Sequence, residues 1–156
     1  MLTRMHTILG KIAVRISARL RPPVFLGVKL LVLNDAGEVL LIKTSYAPGF
    51  VLPGGGVEPG ETCLDAALRE GREEGGVLEV ETPKLFQIYL NREFENRNHV
   101  AMYVARGTAD PAARSAKLEV IAAGFFAPDA LPRDVTDATR RRIREVTKGL
   151  PPDAYW

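Results

Sequence analysis

Residues 54–77 read GGGVEPGETCLDAALREGREEGGV, and this stretch decides how the rest of the chain is interpreted. The run Thr62–Gly75 has helical composition, because threonine is a good N-terminal cap and the closing glycines are typical helix stops. Within it, Glu70, Glu73 and Glu74 are spaced i, i+3 and i+4, which places them on one face about 100° wide. The stretch therefore predicts a glycine-rich loop that leads into a helix with an acidic face.

The three carboxylates of this face repel one another, which costs helix stability unless a partner balances their charge. Hard divalent cations that prefer carboxylate oxygens, Mg²⁺ first, would remove that cost. The alternative is a solvated helix in which Arg69 pairs with Glu73 one turn away. The acidic face alone leaves both interpretations open, and the residues around it decide between them.

The positions that flank the acidic face form a longer pattern of fixed spacing. It consists of Gly55, Glu61, Arg69-Glu70, Glu73-Glu74, Gly76 and Val77. This pattern resembles the signature of the Nudix hydrolases, and seven specified positions match by chance on the order of once in 10⁸ starting points. One position departs from the family, since Gly71 stands where an apolar residue is usual. A glycine there removes a packing side chain and costs about 1 kcal/mol of helix propensity relative to alanine.

The resemblance extends beyond the signature, from about Val24 to Pro132. Residues 53–57 are similar to the start of the family's glycine loop. Glu119 precedes Phe125-Phe126 and Leu131-Pro132, as a glutamate does in the family's late strand. The resemblance implies an α/β fold, the Nudix-type α/β/α sandwich with a mixed central sheet.

The matching positions carry the family's metal site as an expectation. The resemblance implies Mg²⁺ as the cofactor, with Mn²⁺ as a substitute. Its ligands would be the Gly54 carbonyl and the carboxylates of Glu70, Glu73 and Glu74. Glu61 and Arg69 would form an ion pair that ties the loop to the helix.

The catalytic residues that the resemblance implies are Glu70, Glu119 and Arg69. Family members take the general base from the signature helix or from a later loop, and we expect Glu119 to serve, with Glu70 as the alternative. A metal-bound water would attack phosphorus in line while a glutamate accepts its proton.

The implied activity is that of a hydrolase acting on acid anhydrides, which cleaves a diphosphate bond in a nucleoside diphosphate derivative. One alternative is a Nudix-fold module that senses a nucleotide without cutting it, but such modules lose signature carboxylates and this chain keeps all four. Another is an RNA 5′-end pyrophosphohydrolase, whose activity would fall steeply with salt. We expect a small-molecule nucleotide as substrate and do not favour nucleic acid.

Three residues outside the signature are candidate substrate contacts. Lys43 and Tyr46 precede the glycine loop, where they could reach a phosphate and stack on a base. Arg92 lies in a polar loop. Each is equally well explained as an ordinary strand-end or loop residue.

The hydrophobic patterns predict the remaining elements. Strands are expected at Val24–Leu33, Glu38–Lys43, Leu85–Leu90, His99–Arg106 and Leu118–Phe126, and a second helix at Asp134–Lys148. Ala47–Gly60 is predicted to be a loop. In the second helix Arg142 falls near the apolar face, which indicates either a salt bridge there or a reach towards phosphate, and we favour the salt bridge.

The whole chain, at 156 residues with 46% hydrophobic and 26% charged side chains, has the composition of one soluble globular domain. Its single cysteine, Cys63, excludes an intramolecular disulfide framework and favours the cytoplasm. No run approaches the roughly 18 apolar residues of a membrane span.

Positive charge is concentrated at the start of the chain. Residues 1–23 carry five lysines and arginines and no acidic residue, and apolar positions recur at helical spacing over residues 2–20. We predict a basic amphipathic helix over 1–23 and a Nudix domain over 24–156. The helix could pack on the core or on a second subunit of a homodimer, bind a membrane surface or RNA, or serve as a transit sequence.

Overall fold

A computed structural model describes residues 22–93 and 96–156, and the fold is stated for this part of the chain. Its elements are β1 (Phe25–Leu33), β2 (Val39–Thr44), β3 (Phe50–Val51), α1 (Cys63–Gly75), β4 (Val77–Val80), β5 (Lys84–Asn91), β6 (Asn98–Ala109), β7 (Val120–Phe126) and α2 (Asp137–Lys148). The basic helix predicted over residues 2–20 lies outside the described residues. No helix among those described is long and apolar enough to cross a membrane.

The strands form one mixed sheet. β1 runs parallel to β6, from Phe25 opposite Asn98 to Leu33 opposite Arg106. β6 also pairs antiparallel with β5 and, near its far end, with β4. On the other side β2 meets β1 at the hairpin and pairs antiparallel with β3 and β7.

The two faces of the sheet bury separate apolar cores. Alternate side chains of β1 supply both, since Val28 and Leu30 point to one face and Leu31 to the other. The first core includes Ala66 and Ala67 of α1, and the second includes Ile143 of α2. One helix on each face of a mixed sheet confirms the predicted α/β/α sandwich.

Two short strands were not expected from the sequence. β3 lies inside the stretch that was predicted to be a loop, and β4 follows α1 directly. With two and four residues, both are too short for an alternating pattern to stand out. The second helix begins at Asp137, not at Asp134, because the Thr136 hydroxyl caps it by accepting a hydrogen bond from the Thr139 N–H.

The ends of α1 follow the sequence prediction. The Thr62 hydroxyl accepts the Asp65 N–H at 3.1 Å, and Gly76 closes the helix with φ +67°. Gly71, which lacks the apolar side chain usual in the family, lies close against β1. A Cβ at Gly71 would lie 2.7 Å from Cδ2 of the fully buried Leu30, so the β1 side chain already fills the space.

Candidate active site

The three glutamates on the acidic face of α1 differ in how far they are exposed to solvent. Glu74 is buried, with 5% of its surface exposed. The Glu70 side chain is 13% exposed, and that of Glu73 is 46% exposed. Two carboxylates therefore lie in a protected environment against the glycine loop, while the third faces solvent.

Arg69 links the loop to the helix through several acceptors. Its guanidinium grips both oxygens of Glu61, with Nε–Oε1 at 2.9 Å and Nη2–Oε2 at 3.1 Å. It also donates to Glu70 at 2.8 Å and to Glu73 at 3.3 Å. The hydrogen bond from Arg69 is the main cause that lowers the pKa of Glu61. The arrangement holds the loop against the acidic face of α1.

The glycine loop lies directly on β1. Gly54 has φ +144°, and a Cβ there would overlap the Val28 carbonyl oxygen, so only glycine fits this approach. The Gly54 N–H donates to Glu74 Oε2 at 2.7 Å. At Gly55 a Cβ would come within 2.6 Å of Glu70 Oε1. Gly54 thus lets the loop lie on β1 and bind Glu74 through its N–H, and Gly55 leaves room for the Glu70 carboxylate.

The donor set fits a divalent cation in chemistry. Carboxylate oxygens of Glu70 and Glu74 and the Gly54 carbonyl are the oxygen ligands that Mg²⁺ prefers. The space beside Gly55 exists only because no Cβ fills it. Among the described residues, however, no three His, Cys, Asp or Glu side chains converge closely enough to ligate a metal as they stand. Glu70 is instead drawn to Arg69, and Glu74 to the Gly54 N–H.

Glu74 has an unusual electrostatic environment. Burial raises its pKa above the ordinary value, and the negative charges of Glu70 and Glu119 raise it further. The Gly54 N–H and the ammonium of Lys29 act in the opposite direction. A cation at this position would stabilise the ionised carboxylate.

Glu119 and Tyr46 lie beside the same carboxylates. Glu119 directly precedes β7, and its carbonyl accepts the Ser45 N–H at 2.7 Å, which brings the two loops together. Partial burial raises the pKa of Tyr46, and the charges of Glu74, Glu119 and Glu70 raise it further. Both Glu119 and Tyr46 are exposed. The structure therefore brings the candidate base to the acidic face of α1.

The other two candidate substrate contacts have partners away from α1. The Lys43 ammonium is 2.8 Å from Asp134, which joins β2 to the loop before α2. The Arg92 guanidinium stacks over the Tyr155 ring at 3.5 Å. Neither side chain contacts the glutamates of α1 in the interactions that the structure shows.

A cleft of about 550 Å³ lies next to the loop that carries Tyr46. Its walls carry aromatic, cationic, amide and carboxylate groups, which are Tyr155, Trp156, Arg92, Arg141, Asn91, Glu93 and Asp137. A larger cavity of about 710 Å³ is lined mainly by apolar side chains of 24–27 and 55–59.

Sequence reasoning missed two parts of this site. The cleft wall formed by Tyr155 and Trp156 depends on segment 153–156 pairing with Leu90 of β5, which no local pattern announces. Lys29, which contacts the glycine loop, carries a visible signal. It is the one charged residue within an otherwise apolar strand.

Comparison with known proteins agrees with this geometry. Residues 24–147 match the model of a family described as NUDIX domain. A Bacillus subtilis protein named "Putative 8-oxo-dGTP diphosphatase" is 29% identical over 123 residues, which is 79% of this chain and 80% of that protein. The ADP-ribose pyrophosphatase of Methanocaldococcus jannaschii is 36% identical over 76 residues, 47% of this chain and 44% of that protein.

A solved structure covers the same region. The crystal structure of a MutT NUDIX hydrolase from Burkholderia pseudomallei has a TM-score of 0.65 and 30% sequence identity, covering 81% of this chain and 99% of that one.

Proposed function

This chain belongs to the Nudix hydrolase family, and we propose that it is a Mg²⁺-dependent pyrophosphohydrolase that cleaves the diphosphate bond of a nucleoside diphosphate derivative. The observation that carries the proposal is the pair Glu70 and Glu74. Glu74 accepts the Gly54 N–H at 2.7 Å, and the Glu70 carboxylate lies in the space that a side chain at Gly55 would fill.

The metal would be held by Glu70, Glu74 and the Gly54 carbonyl, with Glu73 completing the set from the solvent side. Mn²⁺ would serve as a substitute, since it prefers the same oxygen ligands. When bound, the cation neutralises the non-bridging phosphate oxygens and makes water a better nucleophile.

The chain's own residues supply the remaining requirements. Glu119, exposed beside the α1 carboxylates, is the proposed acceptor of the proton that the attacking water loses. Arg69 would act by position, because it holds Glu70 and the loop residue Glu61 in one network. Glu70 is the alternative base, although its contact with Arg69 favours a role as a ligand.

The cleft of about 550 Å³ is the proposed site for the nucleoside part of the substrate. Its volume is within the range of small-molecule sites, and its aromatic and guanidinium groups suit a base and a ribose diphosphate. Tyr46, on the loop beside the cleft, would stack on the base, and Arg92 would line the cleft. Lys43 would act at its border, where Asp134 now holds its ammonium.

The relatives support a nucleotide substrate of small size. One is named for 8-oxo-dGTP and another for ADP-ribose. Both compounds contain a phosphoric anhydride attached to a nucleoside, which is the chemistry that the proposed site would bind. We infer the same class for this chain.

A panel of nucleoside triphosphates, nucleotide sugars and dinucleoside polyphosphates tests the proposal. With Mg²⁺ present, we expect release of a nucleoside monophosphate together with pyrophosphate or a phosphorylated partner. In ¹⁸O-labelled water, one product phosphate should carry the label, because water is the nucleophile. The absence of cleavage across the panel, in both Mg²⁺ and Mn²⁺, would contradict the proposed function.

The role of Glu119 has its own test. Replacing Glu119 with Gln should lower kcat by about 10²- to 10⁴-fold with little change in KM, because the carboxylate is proposed to act on the proton and not on substrate binding. Steady-state kinetics measure both constants. A kcat close to that of the wild type would contradict Glu119 as the general base and favour Glu70 instead.

A further inference from the structure

A lysine lies in the strand beneath the glycine loop. β1 is apolar except for Lys29, whose neighbours Val28 and Leu30 are both buried in the core. The lysine side chain is itself partly buried. A charged side chain in this position loses hydration and must be compensated by polar partners.

The partners of Lys29 are backbone carbonyls of the glycine loop. Its Nζ donates to the Leu52 oxygen at 2.9 Å and to the Gly54 oxygen at 2.7 Å. The intervening carbonyl, that of Pro53, accepts the Leu30 N–H of β1. The backbone of β1 and the Lys29 side chain therefore bind alternate carbonyls and fix the loop from two directions.

The Gly54 peptide connects Lys29 to the acidic face of α1. Its carbonyl accepts from Lys29, and its N–H donates to Glu74 at 2.7 Å. Burial lowers the pKa of Lys29, while the negative charges of Glu74 and then Glu70 oppose that lowering. The two carboxylates thus favour the charged lysine, and the charged lysine favours the ionised carboxylates.

We propose that Lys29 is a positioning residue that acts as a built-in counter-charge: its ammonium holds the Gly54 carbonyl and balances Glu74 and Glu70 when no metal is bound. This inference rests on the proposed metal site. Arg69 does not take this part at Glu74, because its guanidinium pairs with Glu61, Glu70 and Glu73; among the described residues, Lys29 is the cation that acts on Glu74.

Without Lys29, the metal-free protein would hold its buried carboxylates with less positive charge nearby to balance them. A bound divalent cation would supply the missing positive charge, so the variant should depend on the metal for stability more than the wild type does. Arginine at this position keeps the charge, whereas methionine keeps the length of the side chain without it.

The experiment compares thermal unfolding midpoints at pH 7 in EDTA and in saturating Mg²⁺. The variants are Lys29→Met, Lys29→Arg and, as a matched control, Lys84→Met, which removes an exposed lysine at the start of β5. We expect Lys29→Met to have the lowest midpoint in EDTA and a Mg²⁺-dependent rise about twice that of the wild type. Lys29→Arg should recover much of the difference, and Lys84→Met should behave as the wild type.

Equal Mg²⁺-dependent rises for Lys29→Met and Lys84→Met would overturn the inference. If the wild type shows no rise with Mg²⁺, the proposed metal site fails. The role of Lys29 is then decided in EDTA alone, where a midpoint equal to that of Lys84→Met would contradict it.

A double variant separates charge balance from simple support of the loop. If Lys29→Met folds poorly, Lys29→Met/Glu74→Gln should recover part of the lost midpoint in EDTA, because the unbalanced carboxylate is gone. A double variant no more stable than Lys29→Met would show that the lysine acts on the loop alone and would overturn the proposed counter-charge.

Discussion

At the glycine loop, the absence of a side chain at one position makes room for a carboxylate of α1. Gly55 has ordinary backbone geometry, yet a Cβ there would lie within 2.6 Å of Glu70 Oε1. At the next residue, Gly56, a Cβ would meet nothing within 4 Å. The space beside Gly55 therefore belongs to the Glu70 carboxylate, and Gly56 offers a matched comparison one residue away.

Replacing Gly55 with Ala should lower kcat by about 10- to 100-fold, because displacing a catalytic group by a fraction of an ångström is costly. The unfolding midpoint should change little, since no backbone strain is introduced. Gly56→Ala is the control and should retain activity. Equal kinetics of the two variants, measured with one nucleotide substrate, would contradict the assigned position of Glu70.

The ion pair between Glu61 and Arg69 predicts a pH dependence of stability. The hydrogen bond from Arg69 lowers the pKa of Glu61 from 4.5, so the folded state binds this proton less tightly than the unfolded state. The contribution is present above pH 4.5 and is lost as the pH falls through the lower folded-state value. The midpoint difference between wild type and Glu61→Gln should therefore be largest near neutrality and shrink below pH 4.5, as thermal melts across pH would show. A difference independent of pH would argue against the pair.

At the scale of elements, α2 holds the wall of the proposed nucleoside cleft in place. Arg142 is fully buried and pairs with Glu145 at 2.6 Å, which confirms the salt bridge expected from the sequence. Its guanidinium also lies over the Tyr89 ring and donates to the Tyr155 carbonyl. One buried cation thus joins α2, β5 and segment 153–156.

Replacing Arg142 with Met should lower the free energy of unfolding by about 3–5 kcal/mol, because Glu145 would remain buried without its partner. Arg144, exposed on the same helix, provides the control, and Arg144→Met should change stability little. Denaturant titration measures both. A similar, small loss in the two variants would mean that the buried network contributes little.

Across the whole molecule, the features that could be predicted are those encoded by residues close together in the sequence. The β-rich composition of β1 and the capped helix α1 could be recognised from the sequence, because each depends on residues within about a dozen positions. The grouping of Glu70, Glu73 and Glu74 on one helix face is of the same kind. These features indicated the acidic face, whereas the α/β/α sandwich was expected from the resemblance to the Nudix signature.

The remaining features depend on residues far apart in sequence. The docking of the glycine loop on β1 joins residues 28–30 to 52–55, and the cleft wall needs segment 153–156 to reach Leu90. In the sequence, Lys29 is only an interruption of an apolar strand, because its acceptors, the carbonyls of Leu52 and Gly54, are distant along the chain. No periodicity within one segment encodes such pairings. The carboxylates of the site could therefore be predicted, but the contacts that hold the glycine loop and the cleft wall in place could not.

Glu74 is a buried residue of α1, and it contacts the glycine loop, which is itself fixed to β1. The most direct measurement of the central claim is the initial rate of Mg²⁺-dependent nucleotide hydrolysis by wild type, Glu74→Gln and the control Glu79→Gln, which alters an exposed glutamate of β4. The proposed site predicts a loss of about 100-fold or more for Glu74→Gln and near-normal activity for Glu79→Gln. A Glu74→Gln variant as active as Glu79→Gln would contradict it.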